Sequence, residues 1–383
     1  MTTAACRVCG RECLPGPLLS FAGMPKAAQG FPDADGLGED EGADLQVLQC
    51  AACGLVQLAG EPVPYHRDVI RAAAVSDVVL AAKHRQFAAF VDRYGLTGAR
   101  VLEVGCGRGE FLSVLAGLDV QAFGLEHDAD AVAACTAEGL RVTQGYPGEA
   151  PRRLLGAPFD AFLLLMFLEH MPEPGAALRA IAAELAPGAV GLVEVPNLDM
   201  VLRRALFSEF IADHLLYFTA ATLRTTLELN GFEVLETAET RDDYVLSAVV
   251  RKRCALDLAA FSAARDKLTA GLHAFLDHFP AGAVAVWGAG HQALAVIALT
   301  GSAARIRYVV DSAPFKQGRF TPATHLPVVA PEALTSDPVE AVVVMAASYS
   351  DEVVGILRER FDPDLRVAVV RESGLVVLPQ AER

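Results

Sequence analysis

Short apolar runs alternate with helical patterns along most of this chain, and this alternation constrains the fold more than any other feature. Four such runs, ARVLEVG, VQAFGLE, FDAFLLLM and AVGLVEVP, lie between residues 99 and 196. Four more, VAVWG, IRYVVD, AVVVMAA and RVAVV, follow after residue 283. Apolar strands that alternate with helices form parallel sheets with helices on both faces. The sequence therefore predicts an α/β protein with two such units in tandem.

The chain has 383 residues, which is more than one ordinary hydrophobic core requires. The predicted segments are an N-terminal module at 1–60, a helical segment on the substrate side at 61–97, an α/β core at 98–252, a connecting helix at 253–280 and a second Rossmann-like domain at 281–383. The apolar stretch from Ala281 to Gly301 contains His291, Gln292 and a Gly-rich turn. We therefore expect a buried strand, turn and helix there, and not a membrane span.

The charge balance and the N-terminus limit the classes of partner. Acidic residues number 47 and basic residues 32, for a net charge of −15. A nucleic acid selects for clustered Lys and Arg, so it is not the expected partner. The N-terminus MTTAACRVCG has no basic segment followed by an apolar one, so no secretory signal is expected. We predict a cytoplasmic protein that acts on a small molecule and contacts no membrane.

Two CxxC pairs predict a structural zinc site. Cys6 and Cys9 form the first pair, and Cys50 and Cys53 form the second. Each pair lets two thiolates converge on one ion, and two pairs complete a tetrahedral Zn²⁺ site. Four thiolates fill the coordination shell, so this zinc would do no catalysis. The alternative is a redox-active CxxC pair.

A glycine loop predicts where a cofactor binds. The strand ARVLEVG leads into Gly105-Cys-Gly107-Arg-Gly109, and a helix follows. Glycines at this point let the chain turn sharply and bring backbone N–H groups close to a ligand. Glu103 lies two residues before the first glycine, and Glu126 ends the next strand, where it can accept hydrogen bonds from ribose hydroxyls. An NAD-binding unit is the alternative, since dinucleotide folds use similar loops.

The pattern E-x-G-C-G-x-G with a downstream acid resembles motif I of the class I S-adenosylmethionine (SAM) methyltransferases. The resemblance implies that Gly105 and Gly107 hold the amino-acid end of the cofactor. It also implies that Glu126 holds the ribose, with Glu103 as support. The further cofactor-binding residues that it implies are Gln144, near the adenine, and Met166 and Phe167, along the cofactor.

Two histidines are candidates for a general base. The sulfonium of SAM is already an activated leaving group, so the enzyme mainly positions the acceptor and makes it nucleophilic. A histidine near its ordinary pKa suits that role. His170 follows the fourth strand of the core, at the edge where ligands collect in an open parallel sheet. His214 follows the fifth strand and has Asp213 beside it.

The chain as a whole resembles the nucleotide-sugar C-methyltransferases of deoxysugar pathways. Those enzymes have an N-terminal zinc module, a methyltransferase core and a C-terminal Rossmann-like domain. The stretch Asp213-His214-Leu-Leu-Tyr217-Phe218 resembles their E-H-x-x-Y-F signature, with Asp213 in the place of the Glu. The stretch from Asp311 to Pro322 resembles their D-x-x-x-x-K-Q-G sequence.

This resemblance implies an NDP-4-keto-6-deoxy sugar as the methyl acceptor. His214, oriented by Asp213, would remove the proton next to the keto group, and the resulting enolate would attack the methyl group. The polar groups that the resemblance implies around the sugar are Tyr217, His170 and Tyr65.

The last domain repeats a strand, a Gly-rich turn and a helix, with Asp311 at the end of its next strand. In isolation this is a dinucleotide fingerprint whose third Gly is replaced by Ala293. We predict that it helps to hold the nucleotide sugar; the alternative is a scaffold with a degenerate ligand site. The substrate-binding residues that we predict are Lys316 and Arg319, which would contact phosphates, and His291 and Tyr349.

The sequence thus predicts a SAM-dependent enzyme that methylates a carbon of a nucleotide-linked keto sugar. One alternative is an O- or N-methyltransferase that acts on a sugar or another small metabolite, since the same His214 could activate those acceptors. A second alternative is a non-catalytic protein that binds SAM or a nucleotide. The intact glycine loop and the Asp213-His214 pair favour an enzyme over that alternative.

Overall fold

The computed structural model describes residues 4–29, 31–68, 75–149 and 153–380. The chain divides into two compact units, Met1–Ala255 and Leu256–Arg383. Residues 69–74, which belong to the predicted helical segment, lie outside the described residues. Within the described part of the chain, no helix is both long enough and apolar enough to span a bilayer.

The first unit contains two sheets and six α-helices in the part described. Its elements up to the middle of the core are β1 (Leu19–Met24), β2 (Ala43–Gln49), β3 (Val56–Leu58), α1 (Asp77–Arg93), β4 (Arg100–Val104), α2 (Glu110–Ala116), β5 (Gln121–Glu126), α3 (Ala129–Ala137) and β6 (Val142–Gln144). The elements that follow are β7 (Phe159–Leu165), α4 (Pro174–Glu184), β8 (Leu185–Pro196), α5 (Leu198–Arg203), β9 (Leu216–Tyr217), α6 (Ala220–Leu229), β10 (Phe232–Thr240) and β11 (Val245–Lys252).

The larger sheet has seven strands in the order β10-β11-β8-β7-β4-β5-β6. Neighbouring strands from β6 to β8 are parallel, and β11 is antiparallel to both of its neighbours. This order with one reversed strand is that of the class I methyltransferase core. The fold class predicted from the alternation is therefore confirmed, and the four predicted core strands are β4, β5, β7 and β8.

The central strands are buried on both faces, as a helix-covered parallel sheet requires. Phe159 and Phe162 of β7 have no exposed surface. The ring of Phe162 packs 5.4 Å from that of Phe232 and lies over Gly191. A Cβ atom at Gly191 would come within 2.0 Å of the Phe162 ring, so only glycine fits beneath it.

Helix α1 covers one side of this core and begins at a regular cap. The Ser76 hydroxyl accepts a hydrogen bond from the N–H of Val79, and Asp77 lies in the first turn. Both features stabilise the positive end of a helix. The buried face of α1 includes Phe87 and Phe90, at a helical spacing.

The smaller sheet of this unit has the order β1-β2-β3-β9, with antiparallel pairing throughout. Its first three strands come from the N-terminal module. The fourth, β9, comes from the middle of the core and follows His214 by two residues. A strand of the N-terminal sheet therefore continues directly from the loop that carries the predicted base.

The second unit has a seven-stranded sheet in the order β14-β15-β13-β12-β16-β17-β18. Its elements are α7 (Ala259–Leu276), β12 (Val284–Trp287), α8 (His291–Thr300), β13 (Ile306–Val310), β14 (Arg319–Phe320), β15 (Pro327–Val329), α9 (Ala333–Ser336), β16 (Ala341–Val344), α10 (Ser350–Arg360), β17 (Arg366–Arg371) and β18 (Gly374–Val377). The five inner strands are parallel and the two edge strands are antiparallel to their neighbours. The four strands predicted for this domain are β12, β13, β16 and β17.

Candidate functional site

The candidate site lies at the carboxyl edge of the larger sheet, where the strand order changes direction. From β4 the chain moves to β5 and β6 on one side, and it then returns to β7 on the other side. Ligands in open α/β sheets bind in the crevice at such a switch point. The glycine loop follows β4 and the Met166–His170 segment follows β7, so both predicted groups meet at this crevice.

The glycine loop between β4 and α2 has the geometry that its sequence predicts. Gly105 has φ +71° and Gly107 has φ +55°, in the left-handed region that favours glycine. A Cβ atom at Gly105 would lie 2.6 Å from Cδ1 of Phe167. The loop is thus in close contact with the segment after β7.

Glu126 closes this loop from the end of β5. One of its carboxylate oxygens accepts a hydrogen bond of 2.8 Å from the N–H of Gly107, and the other accepts one of 3.0 Å from Asp128. Gln144 pairs with Glu126 across the two strands, so the predicted ribose and adenine residues lie side by side. Glu103 lies within β4 and is buried.

Met166 and Phe167 turn the chain sharply after β7. Met166 has φ +54°, which a side chain other than glycine rarely adopts and which costs about 1–3 kcal/mol. Phe167 is buried, and its ring meets that of Tyr146 edge-on at 6.0 Å. Tyr146 also contacts the rings of His66 and His127, at 6.2 and 6.4 Å. Sequence reasoning missed this aromatic group, although Tyr146 follows directly after Gln144 and Gly145.

The two predicted histidines are brought together. The rings of His170 and His214 lie 4.8 Å apart and meet edge to face. Nδ1 of His170 donates a 2.8 Å hydrogen bond to the backbone oxygen of Asp213, so Nε2 carries the lone pair of the neutral ring. Burial lowers the pKa of His170 to about 4 and that of His214 to about 3. Both rings are therefore neutral near pH 7.

Asp213 has different partners from those predicted. Its carboxylate accepts hydrogen bonds of 2.6 Å from the Tyr65 hydroxyl and 2.8 Å from the N–H of Ala28. No hydrogen bond joins that carboxylate to His214 in the described part of the chain. The predicted hydrogen bond by which Asp213 would orient His214 is therefore not among these contacts. The Asp213 carboxylate bonds to Tyr65 and Ala28, and the Asp213 backbone oxygen bonds to His170.

The hydroxyl of Tyr217 makes hydrogen bonds within its own loop. That hydroxyl accepts a hydrogen bond from the N–H of Ile211 at 3.0 Å and lies 3.2 Å from the oxygen of the same residue. The side chain is buried beside Phe210, with ring centroids 4.7 Å apart. Tyr217 therefore fixes the turn that carries His214, and its place next to the sugar stays a prediction.

Glu169 is a site residue that sequence reasoning missed. It is 1% exposed, and neither carboxylate oxygen has a hydrogen-bond partner among the described residues. One of its oxygens lies 3.9 Å from Nε2 of His170. Burial raises the pKa of Glu169 to about 8. The one available signal was its position directly before His170.

The four predicted cysteine ligands converge. The sulfur of Cys6 lies 3.6 Å from that of Cys53, and the sulfur of Cys9 lies 3.5 Å from that of Cys50. All four sulfurs lie within 4.8 Å of one another. A tetrahedral ion with Zn–S bonds of 2.3 Å separates its sulfurs by about 3.8 Å, so this group could hold zinc. The side chain of Gln57 in β3 bonds to the backbone on both sides of Cys6.

The predicted substrate residues of the second unit lie near the carboxyl edge of its sheet. Nζ of Lys316 is 2.9 Å from the Asp311 carboxylate, which also accepts a hydrogen bond from the N–H of Ala289. Lys316 and Arg319 line a cavity of about 410 Å³. His291 begins α8, and Tyr349 is an exposed residue shortly after β16. The structure brings Lys316 and Arg319 together but leaves His291 and Tyr349 outside that cavity lining.

Comparisons with known proteins agree with this geometry. The methyltransferase domain family matches residues 79–237, and the C-methyltransferase C-terminal domain family matches residues 255–367. The C-methyltransferase NovU of Streptomyces niveus is 23% identical over 382 residues, which cover 91% of each chain.

Two further similarities each cover less than half of this chain. The ubiquinone biosynthesis O-methyltransferase of Xylella fastidiosa (strain M23) is 40% identical over 101 residues, which are 25% of this chain and 41% of that relative. A solved SAM-dependent methyltransferase from Clostridium acetobutylicum ATCC 824 is 11% identical, with a TM-score of 0.40; the match covers 46% of this chain and 94% of that one. The two family matches, together with the similarity to a C-methyltransferase along 91% of the chain, indicate a SAM-dependent methyltransferase.

Proposed function

We propose that this enzyme methylates a carbon atom of a nucleotide-linked keto sugar, with His214 as the base. The observation that carries the proposal is the contact between the neutral rings of His170 and His214 at the switch-point crevice. His170 closely follows Phe167, which is predicted to lie along the cofactor. Similarity to a C-methyltransferase along 91% of the chain supports carbon as the acceptor atom.

The chain's own residues supply the base and its surroundings. SAM supplies a methyl group that is already activated for transfer. The neutral His214 ring accepts the proton of the carbon beside the ketone, and the electron pair of that C–H bond passes into the enolate. The enolate carbon then forms a bond to the methyl group as the methyl–sulfur bond breaks. Placing base, carbon and methyl group together accounts for much of such a rate enhancement.

The predicted binding residues divide between the two units. In the first unit, Gly105 and Gly107 would hold the amino-acid end of SAM, and Glu126 the ribose. In the second unit, Lys316 and Arg319 would contact the diphosphate of the sugar nucleotide. Both are cations at the edge of a cavity, and arginine in particular suits the geometry of phosphate oxygens.

The cysteine group would hold one structural zinc ion. Its four sulfurs match the chemistry and the spacing of a tetrahedral Cys₄ site, and no position remains for a substrate. Burial raises the pKa of Cys6 to about 11. A cation in the centre would reverse that effect, because metal coordination stabilises thiolates.

Proton exchange tests the base and the acceptor together. The full-length enzyme would be incubated in D₂O with S-adenosylhomocysteine and a panel of NDP-4-keto-6-deoxy sugars, and deuterium incorporation followed by NMR. We expect exchange at the carbon beside the ketone, and a loss of about 10²–10⁴-fold in His214→Ala. His84→Ala is the matched control, because His84 is exposed on α1. Absence of exchange with every sugar in the panel would contradict the proposal.

An O-methyltransferase is the second candidate, favoured by the similarity of a quarter of this chain to a ubiquinone biosynthesis O-methyltransferase. His214 would then remove a proton from a hydroxyl group. SAM labelled with carbon-13 in its methyl group separates the two functions, because the chemical shift of the transferred methyl reports whether it is bonded to carbon or to oxygen.

A further inference from the structure

Glu169, His170 and His214 form a group of three ionisable side chains, which we name the Glu169 cluster; the first two are buried and His214 is half-buried. One potential ligand atom from each side chain lies within 4.8 Å of the other two. Glu169 is 1% exposed and His170 is 6% exposed. Charges on Glu169 and His170 are therefore surrounded mainly by protein, whereas His214 is half-buried.

The cluster lacks a positive charge between its members. Nδ1 of His170 is used on the backbone oxygen of Asp213, so the lone pair on Nε2 faces the Glu169 carboxyl group. Their separation of 3.9 Å is too long for a hydrogen bond. A buried carboxylate without hydrogen bonds is unfavourable unless a nearby positive charge compensates it.

The other ionisable groups around the cluster already have partners. The Asp213 carboxylate bonds to Tyr65 and to the N–H of Ala28. Two further ionisable groups near the cluster, among the described residues, are Tyr217, whose hydroxyl bonds to Ile211, and Tyr244, whose hydroxyl bonds to Glu209. In the described part of the chain, Glu169 is the neighbouring carboxyl group whose oxygens remain available.

We propose that Glu169 supplies the negative charge that allows the His170–His214 pair to accept a proton, so that the three side chains gain and lose one proton as a unit. The inference rests on the proposed function, in which His214 is the base. Glu169 acts on the reaction only through the histidines, by raising their affinity for a proton, and is therefore a positioning residue.

The proton balance of the cycle follows from this arrangement. The reactive form has an ionised Glu169 and two neutral histidines. His214 takes the proton from the acceptor carbon, and the Glu169 carboxylate then faces a histidine pair that carries one positive charge. The cluster returns to the reactive form when that proton leaves for solvent. Since burial raises the pKa of Glu169 to about 8, the reactive form becomes populated as the pH rises through that value.

A titration without any acceptor tests the cluster directly. Full-length protein with carbon-13 in its glutamate carboxyl groups and nitrogen-15 in its histidines would be followed by NMR from about pH 5 to about pH 9. We expect one carboxyl signal to titrate near pH 8, and two histidine signals to change with the same midpoint. The carboxyl signal should be absent from Glu169→Gln and should keep an elevated midpoint in Glu169→Asp.

Glu236→Gln is the matched control, because Glu236 pairs with Arg93 on the surface. It should leave all of these signals unchanged. Absence of a glutamate that titrates above about pH 7 would overturn the proposal. A titration that appears only after a chelator has been added would also overturn it, because the three side chains would then hold a metal ion.

The exchange reaction in D₂O tests the consequence for the base. We expect the wild-type exchange rate to rise with pH to a plateau above about pH 8, and Glu169→Gln to lower the rate at least ~10-fold and abolish the rise. Glu169→Asp should restore part of both. If the carboxyl signal titrates as expected but no keto sugar exchanges its proton, the proposed function is contradicted and the cluster is not. Exchange in the wild type without that titration contradicts the cluster and not the function.

Discussion

The hydroxyl of Tyr65 donates a 2.6 Å hydrogen bond to the carboxylate of Asp213, a residue 148 positions further along the chain. Burial, together with this bond, raises the pKa of Tyr65 to about 12, so the phenol stays protonated and remains a donor. The bond joins the segment before α1 to the turn that carries His214. Tyr65 therefore positions the turn of the predicted base.

Tyr65→Phe should weaken the base without weakening the cofactor site. The substitution leaves one oxygen of the buried Asp213 carboxylate without its donor, which costs about 1–3 kcal/mol. We expect the exchange rate in D₂O to fall about 10-fold while the affinity for S-adenosylhomocysteine is retained. Tyr308→Phe is the control, since it also loses a 2.6 Å hydrogen bond, to Asp337 in the second unit. Equal exchange rates in both variants would contradict a positioning role.

Gly105→Ala should weaken binding of the cofactor to the glycine loop. The new methyl group would lie 2.6 Å from the Phe167 ring, and the backbone has a positive φ, so the loop or the ring must move. We expect calorimetry to show at least a ~10-fold loss of affinity for S-adenosylhomocysteine. Gly139→Ala separates strain from steric overlap, because Gly139 has φ +78° with no atom within 4 Å. Equal affinities in the two variants would argue against the predicted role of the glycine loop.

Loss of zinc should disturb the turn that carries His214. The side chain of Gln57 in β3 makes hydrogen bonds to the backbone on both sides of Cys6. Strand β3 in turn pairs with β9, which begins two residues after His214. We expect elemental analysis to find about one zinc ion per chain, and Cys50→Ser to lose it. Amide hydrogen exchange at Leu216 should then accelerate.

Cys254→Ser is the control for this experiment, because Cys254 is exposed and lies outside the cysteine group. It should keep both the zinc and the slow exchange at Leu216. A stably folded protein without metal would refute the zinc module.

The regular parts of the fold could be predicted because they depend on local patterns. The apolar runs became β4, β5, β7 and β8 as expected, since buried strands need unbroken apolar sequence. The convergence of the four cysteines could be predicted for a similar reason, because each CxxC pair is a local structure. The meeting of His170 and His214 followed from their places after neighbouring strands.

The contacts that organise the site depend on long-range packing and could not be predicted. Strand β9 has two residues, which is too short for any periodic signal, and its partner lies in the N-terminal module. Nothing local indicates that Asp213 bonds to Tyr65 and not to its neighbour His214. Likewise, the burial of Glu169 depends on the short turn after β7, because its sequence position alone does not distinguish a solvated acid from an enclosed one.

The pairing of β3 with β9 determines when the site can assemble during synthesis of the chain. The ribosome completes the N-terminal module long before it produces Leu216 and Tyr217, so the edge of β3 stays unpaired while most of the core emerges. Contacts between such distant residues form late and slowly. The turn with His214 is therefore completed late in folding, and a nascent chain that stalls before this turn presents an open strand edge to its neighbours.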